Sequence, residues 1–79
     1  MPATLTLYST SGCHLCEQAL ALLRSMPELA RYTVIEVDVA VDAATLTRYG
    51  ARIPVLARSD RAPELAWPFN ADAVLAWLD

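Results

Sequence analysis

The segment Thr4-Leu5-Thr6-Leu7-Tyr8 alternates polar and apolar side chains, the period of two that a strand with one buried face requires. A few residues later the period changes. Cys16, Ala19, Leu20 and Leu23 recur at helical spacing, which predicts a helix from about Cys13 to Ser25 with Glu17, Gln18 and Arg24 on its wet side. Pro27 cannot continue that helix comfortably. Alternation returns from Tyr32 to Val39, where Ile35, Val37 and Val39 interleave with Glu36 and Asp38, predicting a second strand with one buried face. Asp42 suits the N-cap of a short helix through Ala43, Leu46 and Tyr49, with Arg48 off that stripe and Gly50 just past its end. Arg52 to Ala57 reads as a strand entered through Pro54, Ser59-Asp60-Arg61 as a turn, and Glu64 to Trp67 as the returning strand, kept from running on by Pro68. Asn70 can cap a last helix whose stripe, Ala71, Val74, Leu75 and Leu78, follows the i, i+3, i+4, i+7 pattern.

The order β-α-β-α-β-β-α fills the chain without repeat, low-complexity tract or linker, so a minimal α/β sandwich is expected. Two strands separated by one helix imply a right-handed crossover between parallel neighbours, and hence a sheet that is at least partly parallel. With 79 residues, 56% of them hydrophobic, the chain has room for one domain, residues 1–79, with a real core.

Charge removes several function classes. A net charge of −3 with no lysine argues against a nucleic-acid surface, and two glycines leave no phosphate-cradling loop. No apolar run approaches the roughly 20 residues that span a bilayer. Met1 to Gly12 lacks the basic start and long apolar middle of a signal peptide, so the cytosol is the expected compartment.

Within that frame the chemistry concentrates at Ser11-Gly12-Cys13-His14-Leu15-Cys16, which holds the only two cysteines. In a reducing compartment such a pair is more plausibly redox-active than a structural staple. At a helix start, the sulfur of Cys13 lies near unpaired backbone N–H groups and the positive end of the helix dipole, which favour the thiolate. Cys16, one turn further on, is placed on the same face to attack a mixed disulfide formed by Cys13. Three other readings stand beside this one. The cysteines could be small core residues. They could bind zinc, although beyond Cys13, Cys16 and His14 the chain has no third cysteine or second histidine. A metal or iron–sulfur cluster shared between two chains, or a non-catalytic redox sensor, is the remaining alternative.

The C-x-x-C at the start of the first helix, together with Ile53-Pro54 at the head of the third strand, resembles the thioredoxin fold. More narrowly, the short length and the segment Tyr49-Gly50-Ala51-Arg52-Ile53-Pro54-Val55 resemble small glutaredoxin-like proteins, some of which have no assigned role. The resemblance covers essentially the whole chain. It implies a four-stranded mixed sheet of order 4-3-1-2 with strand 3 antiparallel to the rest, helices on both faces, and a cis Pro54 packed against the cysteines. It also implies thiol-disulfide oxidoreductase activity, with Cys13 the nucleophile and Cys16 the resolving thiol. An X-Pro bond is the only one that adopts cis cheaply, and cis would turn the Ile53 backbone outward to pair with a partner around its cysteine.

The remaining candidates follow from the same site. His14 as an imidazolium would favour a Cys13 thiolate, while its charge would oppose the helix dipole; the alternative is an exposed, neutral ring. Leu15 is expected on the contact surface, or else tucked under the hairpin. Typical glutaredoxins resemble one another in a Pro-Tyr between the cysteines, a basic residue shortly before them, a Thr-Val before the proline and a Gly-Gly turn before the last helix. Here stand His14-Leu15, no basic residue from Met1 to Cys13, Arg52-Ile53, and Trp67-Pro68-Phe69-Asn70. What remains to hold glutathione is Arg52 for a carboxylate, the Ile53 backbone, and the helix start near Asn70 and Asp72. The expected partners are a disulfide-bearing protein and a thiol reductant, the thioredoxin system or glutathione. No resident cofactor or metal is expected, and the chain is expected to act as a monomer.

Overall fold

Alternation in the first strand is realised as burial. In the computed structural model, which describes residues 3–79 apart from the side chain of residue 62, β1 (Thr4–Ser9) buries Leu5, Leu7 and Ser9 and leaves Thr4, Thr6 and Tyr8 half-covered. β1 lies inside a four-stranded sheet of order β2-β1-β3-β4, formed with β2 (Thr33–Asp38), β3 (Val55–Arg58) and β4 (Arg61–Ala66). β1 and β2 are parallel, whereas β3 runs antiparallel to both β1 and β4. This is the expected minimal thioredoxin fold, with its sheet order read from the other edge.

Three helices complete it: α1 (His14–Arg24), α2 (Ala43–Tyr49) and α3 (Ala71–Leu78). One face of the sheet, through Leu5, Leu7 and Leu56, packs with Ala19 and Leu23 of α1 and Val74 of α3 into the main core. The other face carries a smaller cluster of Val39, Tyr49 and Val55, so α2 covers that side. The division follows from β3 itself, where consecutive Val55 and Leu56 point to opposite faces and are both fully buried. α3 is fastened at its far end. Arg58 donates to the Leu78 carbonyl at 3.0 Å, and Arg61 to the Leu78 and Asp79 carbonyls at 2.7 and 2.9 Å, placing two cations at the negative end of the helix dipole.

Four details depart from expectation. The second strand is exposed along nearly its whole length, with Ile35 43% accessible, because β2 is an edge strand and α2 covers the sheet further in. Val39, expected to continue it, is instead buried in a 3₁₀ turn over Val39–Val41, started by Asp38, whose carboxylate accepts the Ala40 N–H. Pro27 opens a further 3₁₀ turn, Pro27–Arg31, where its missing N–H costs nothing. The hairpin strands are shifted: β3 begins at Val55 after Pro54, and β4 starts at Arg61 and ends before Trp67.

Candidate active site

Both cysteines sit where β1 hands over to α1. Beyond Ser9 the chain turns through Gly12, whose φ of 77° lies in the left-handed region that glycine enters freely. Cys13 follows with extended backbone as the N-cap of α1, and its Sγ accepts the backbone N–H of Cys16 at 3.1 Å. A sulfur therefore occupies the place where serine or aspartate usually satisfies a free helix N–H. Cys13 and Cys16 are joined by a disulfide with their Cα atoms 5.2 Å apart. The two are unequally placed: Cys13 is half-exposed, whereas Cys16 is only 2% exposed and faces the core with Ala19.

Register brings the third strand to the same end. Tyr8 pairs with Val55 across the antiparallel β1–β3 ladder, so Ile53 and Pro54, just before Val55, run beside the segment from Ser9 that leads to Cys13. The Ile53–Pro54 bond is cis, and Pro54 is fully buried. Its carbonyl accepts the Trp67 N–H at 3.1 Å. Among the described residues, neither the N–H nor the carbonyl of the half-buried Ile53 has a hydrogen-bond partner, so the backbone there is free to pair with another chain. The bond Trp67–Pro68 is also cis, a feature that the sequence reading missed, having given Pro68 only the role of a strand stop.

The other candidates are dispersed. Leu15 is 46% exposed beside the cysteines and is not tucked away under the hairpin. His14 is 91% exposed, and its Nδ1 lies 3.3 Å from Glu17 Oε2, so its nearest charged neighbour is a carboxylate. Arg52 is already engaged: it donates to the Arg48 carbonyl at 3.4 Å, lies 3.9 Å from Glu64 Oε1, and stands over the Tyr49 ring. Asn70, offered as an anchor, caps α3 by accepting the Ala73 N–H at 2.9 Å, while Asp72 sits in the first turn. Burial, with the neighbouring Tyr8 and Glu64, raises the pKa of Tyr49 and favours its neutral phenol.

Two polar features near the site were not foreseen. Ser9, buried at the end of β1, donates its hydroxyl to Glu36 at 2.7 Å, and with Thr10, Ser11 and Asp38 these residues line a polar cleft. Continuing the Leu5, Leu7 alternation by one step would have placed Ser9 inward. Among the described residues no three His, Cys, Asp or Glu side chains converge as a metal site would require, and no helix is long and apolar enough to cross a membrane.

Comparison with known structures is consistent with this geometry. The chain is similar to the protein XcR50 from X. campestris, whose X-ray structure shares 40% identity over 94% of this chain and 93% of that one, with a TM-score of 0.78. The solution structure of XcR50 gives a TM-score of 0.75, again at 40% identity, over 94% and 90% of the two chains. Protein Ne2328 from Nitrosomonas europaea is similar at 27% identity over 98% of this chain and 92% of that one, with a TM-score of 0.79. A search of curated proteins found no match. Residues 4–79 match the glutaredoxin-like domain family (DUF836). A cysteine pair at a strand-to-helix handover, on a thioredoxin-like sheet matched over nearly its full length, makes this chain a thiol-redox module that belongs to the glutaredoxin-like domain family.

Proposed function

We propose that the protein is a thiol-disulfide oxidoreductase in which Cys13 attacks and Cys16 resolves. The observation that carries this reading is the asymmetry of the pair: Cys13 is half-exposed, with its Sγ held by the Cys16 N–H at 3.1 Å, whereas Cys16 is covered. In the reduced protein the Cys13 thiolate attacks one sulfur of a substrate disulfide, forming a mixed disulfide and releasing the other sulfur as a thiolate. Cys16 gives up its proton and attacks the Cys13 sulfur. The Cys13–Cys16 disulfide forms, the second substrate sulfur leaves and is protonated, and two electrons have passed to the substrate. The helix N–H groups stabilise negative charge on Cys13 whenever it is the leaving group.

A protein disulfide fits the site better than glutathione does. Docking a polypeptide uses the unpaired Ile53 backbone and an apolar rim, to which Leu15 contributes. Val41, 68% exposed, follows β2 at this same end because β2 is parallel to β1. Glutathione needs charged anchors, and Arg52 is already engaged by the Arg48 carbonyl and drawn toward Glu64. The testing experiment traps the intermediate. Cys16→Ser, mixed with an oxidised protein substrate, should accumulate a mixed disulfide through Cys13, and Cys13→Ser should accumulate none. Trapping through Cys16 instead would reverse the roles, and no trapping by either variant would end the oxidoreductase reading.

A further inference from the structure

Glu64 centres a charged cluster on the α2 side of the sheet, and thiol exchange has no use for it. Its Oε2 accepts from Arg48 Nη2 and from the Tyr49 hydroxyl, each at 3.3 Å, while its Oε1 lies 3.9 Å from Arg52 Nη2. The two guanidinium carbons stand 5.3 and 5.4 Å from the centre of the Tyr49 ring, and Tyr8 stacks on that ring at 3.9 Å. The ring holds both guanidinium groups near it, and the single carboxylate offsets one of their two positive charges.

Strand register gives the cluster a direction. Val55 pairs with Ala66, so Glu64 lies further along β4, away from the end of the sheet that carries Cys13. Arg52 precedes Val55 by three residues and so begins at the Cys13 end, yet its guanidinium reaches back toward Glu64. Both arginine side chains remain accessible, at 68% for Arg48 and 46% for Arg52, so they are restrained not by burial but by Glu64, by the Tyr49 ring and, for Arg52, by the Arg48 carbonyl at 3.4 Å.

We infer that Glu64 determines specificity: it holds Arg52 back from the active-site end and withholds from anionic thiols the cation that would attract them. The inference rests on the proposed thiol-disulfide exchange. In the affected half-reaction a thiolate RS⁻ attacks the Cys13 sulfur, the Cys13–Cys16 bond breaks, and Cys16 leaves as a thiolate that takes up a proton. A second RS⁻ then attacks the mixed disulfide, releasing RSSR and the Cys13 thiolate, so two electrons enter the protein. A carboxylate on R gains more from an unpaired guanidinium beside the site than from one whose charge a neighbouring carboxylate offsets.

Two thiols of similar skeleton, anionic 3-mercaptopropionate and neutral 2-mercaptoethanol, separate charge from reactivity. Second-order rates of reduction of the oxidised protein are measured for the wild type, Glu64→Gln, the double variant Glu64→Gln/Arg52→Ala, and Glu28→Gln, which removes one charge in the 3₁₀ turn beyond the far end of α1. Glu64→Gln should react about 3–10 times faster with 3-mercaptopropionate and at an unchanged rate with 2-mercaptoethanol. The double variant should lose the gain, and Glu28→Gln should show little of it. No gain, an equal gain with both thiols, a gain that survives loss of Arg52, or one matched by Glu28→Gln would overturn the inference while leaving the exchange chemistry standing. A wild-type disulfide inert to 2-mercaptoethanol would instead refute the redox reading and the inference with it.

Discussion

Gly12 shows how much of the site depends on one backbone angle. Its φ of 77° is a conformation that L side chains rarely adopt, yet a Cβ built there would meet nothing within 4 Å. Space is therefore no obstacle. Any cost of Gly12→Ala comes from the backbone alone, about 1–2 kcal/mol, and Gly12→Asn should cost less because asparagine tolerates the left-handed region better. Since Gly12 immediately precedes Cys13, the alanine variant should also slow disulfide exchange. Thermal melts of both variants check this; an alanine variant as stable as wild type would mean that the turn does not hold this angle. Cys13 and Cys16 were legible from spacing alone, because a thiol pair at a period change from two to 3.6 is a local pattern. Glu64 was not. Its partners Arg48, Tyr49 and Arg52 are 12 to 16 residues away in the chain, and only the β3–β4 pairing brings them together.

Among the elements, α3 shows the sequence and structure in closest agreement. Asn70 caps it, Val74 is fully buried, and Leu75 and Leu78 pack at the edge of the core. Val74→Ala should cost about 2 kcal/mol from lost burial and the cavity left behind, and Asn70→Ala about 1 kcal/mol from the lost cap. In a chain this short each kcal/mol lowers the melting temperature by about 4–8 °C, so the buried valine should matter about twice as much as the cap. A shift of only a degree or two for Val74→Ala would show that α3 does not seal the core. β2 is the opposite case. The alternation of Ile35 and Val37 predicts one buried face, but periodicity reports only that apolar residues share a side, not that another element covers them. Coverage depends on where α2 crosses, and that crossing is set by the Tyr8–Tyr49 stack and the Arg–Glu cluster, contacts between segments far apart in the chain.

At the scale of the whole molecule, stability should fall in acid. The Thr45 N–H and hydroxyl, donating to the Asp42 cap of α2, hold its carboxyl below its usual range, and a two-pronged bond from Arg58 does the same for Asp60. A depressed folded-state pKa contributes stability that is complete above the unfolded value, about 3.9 for aspartate, and is lost as pH falls through the folded one. Melting temperature should therefore be flat from neutral pH down to about 5 and drop below about 4, with a shallower drop in Asp42→Asn and Asp60→Asn. An unchanged acid limb in both variants would exclude these two carboxylates as its source. A different coupling joins the start of α1 to the redox state of the cysteine pair. Because the Cys13 sulfur both forms the disulfide and closes the first turn of α1, whatever strengthens that closure in the dithiol form favours reduced over oxidised protein by the same free energy. Folding and redox chemistry then form a closed thermodynamic square. The difference in unfolding free energy between the dithiol and disulfide forms equals the difference in disulfide stability between the unfolded and folded chain, so every 1.4 kcal/mol between two urea titrations amounts to about 30 mV of reduction potential.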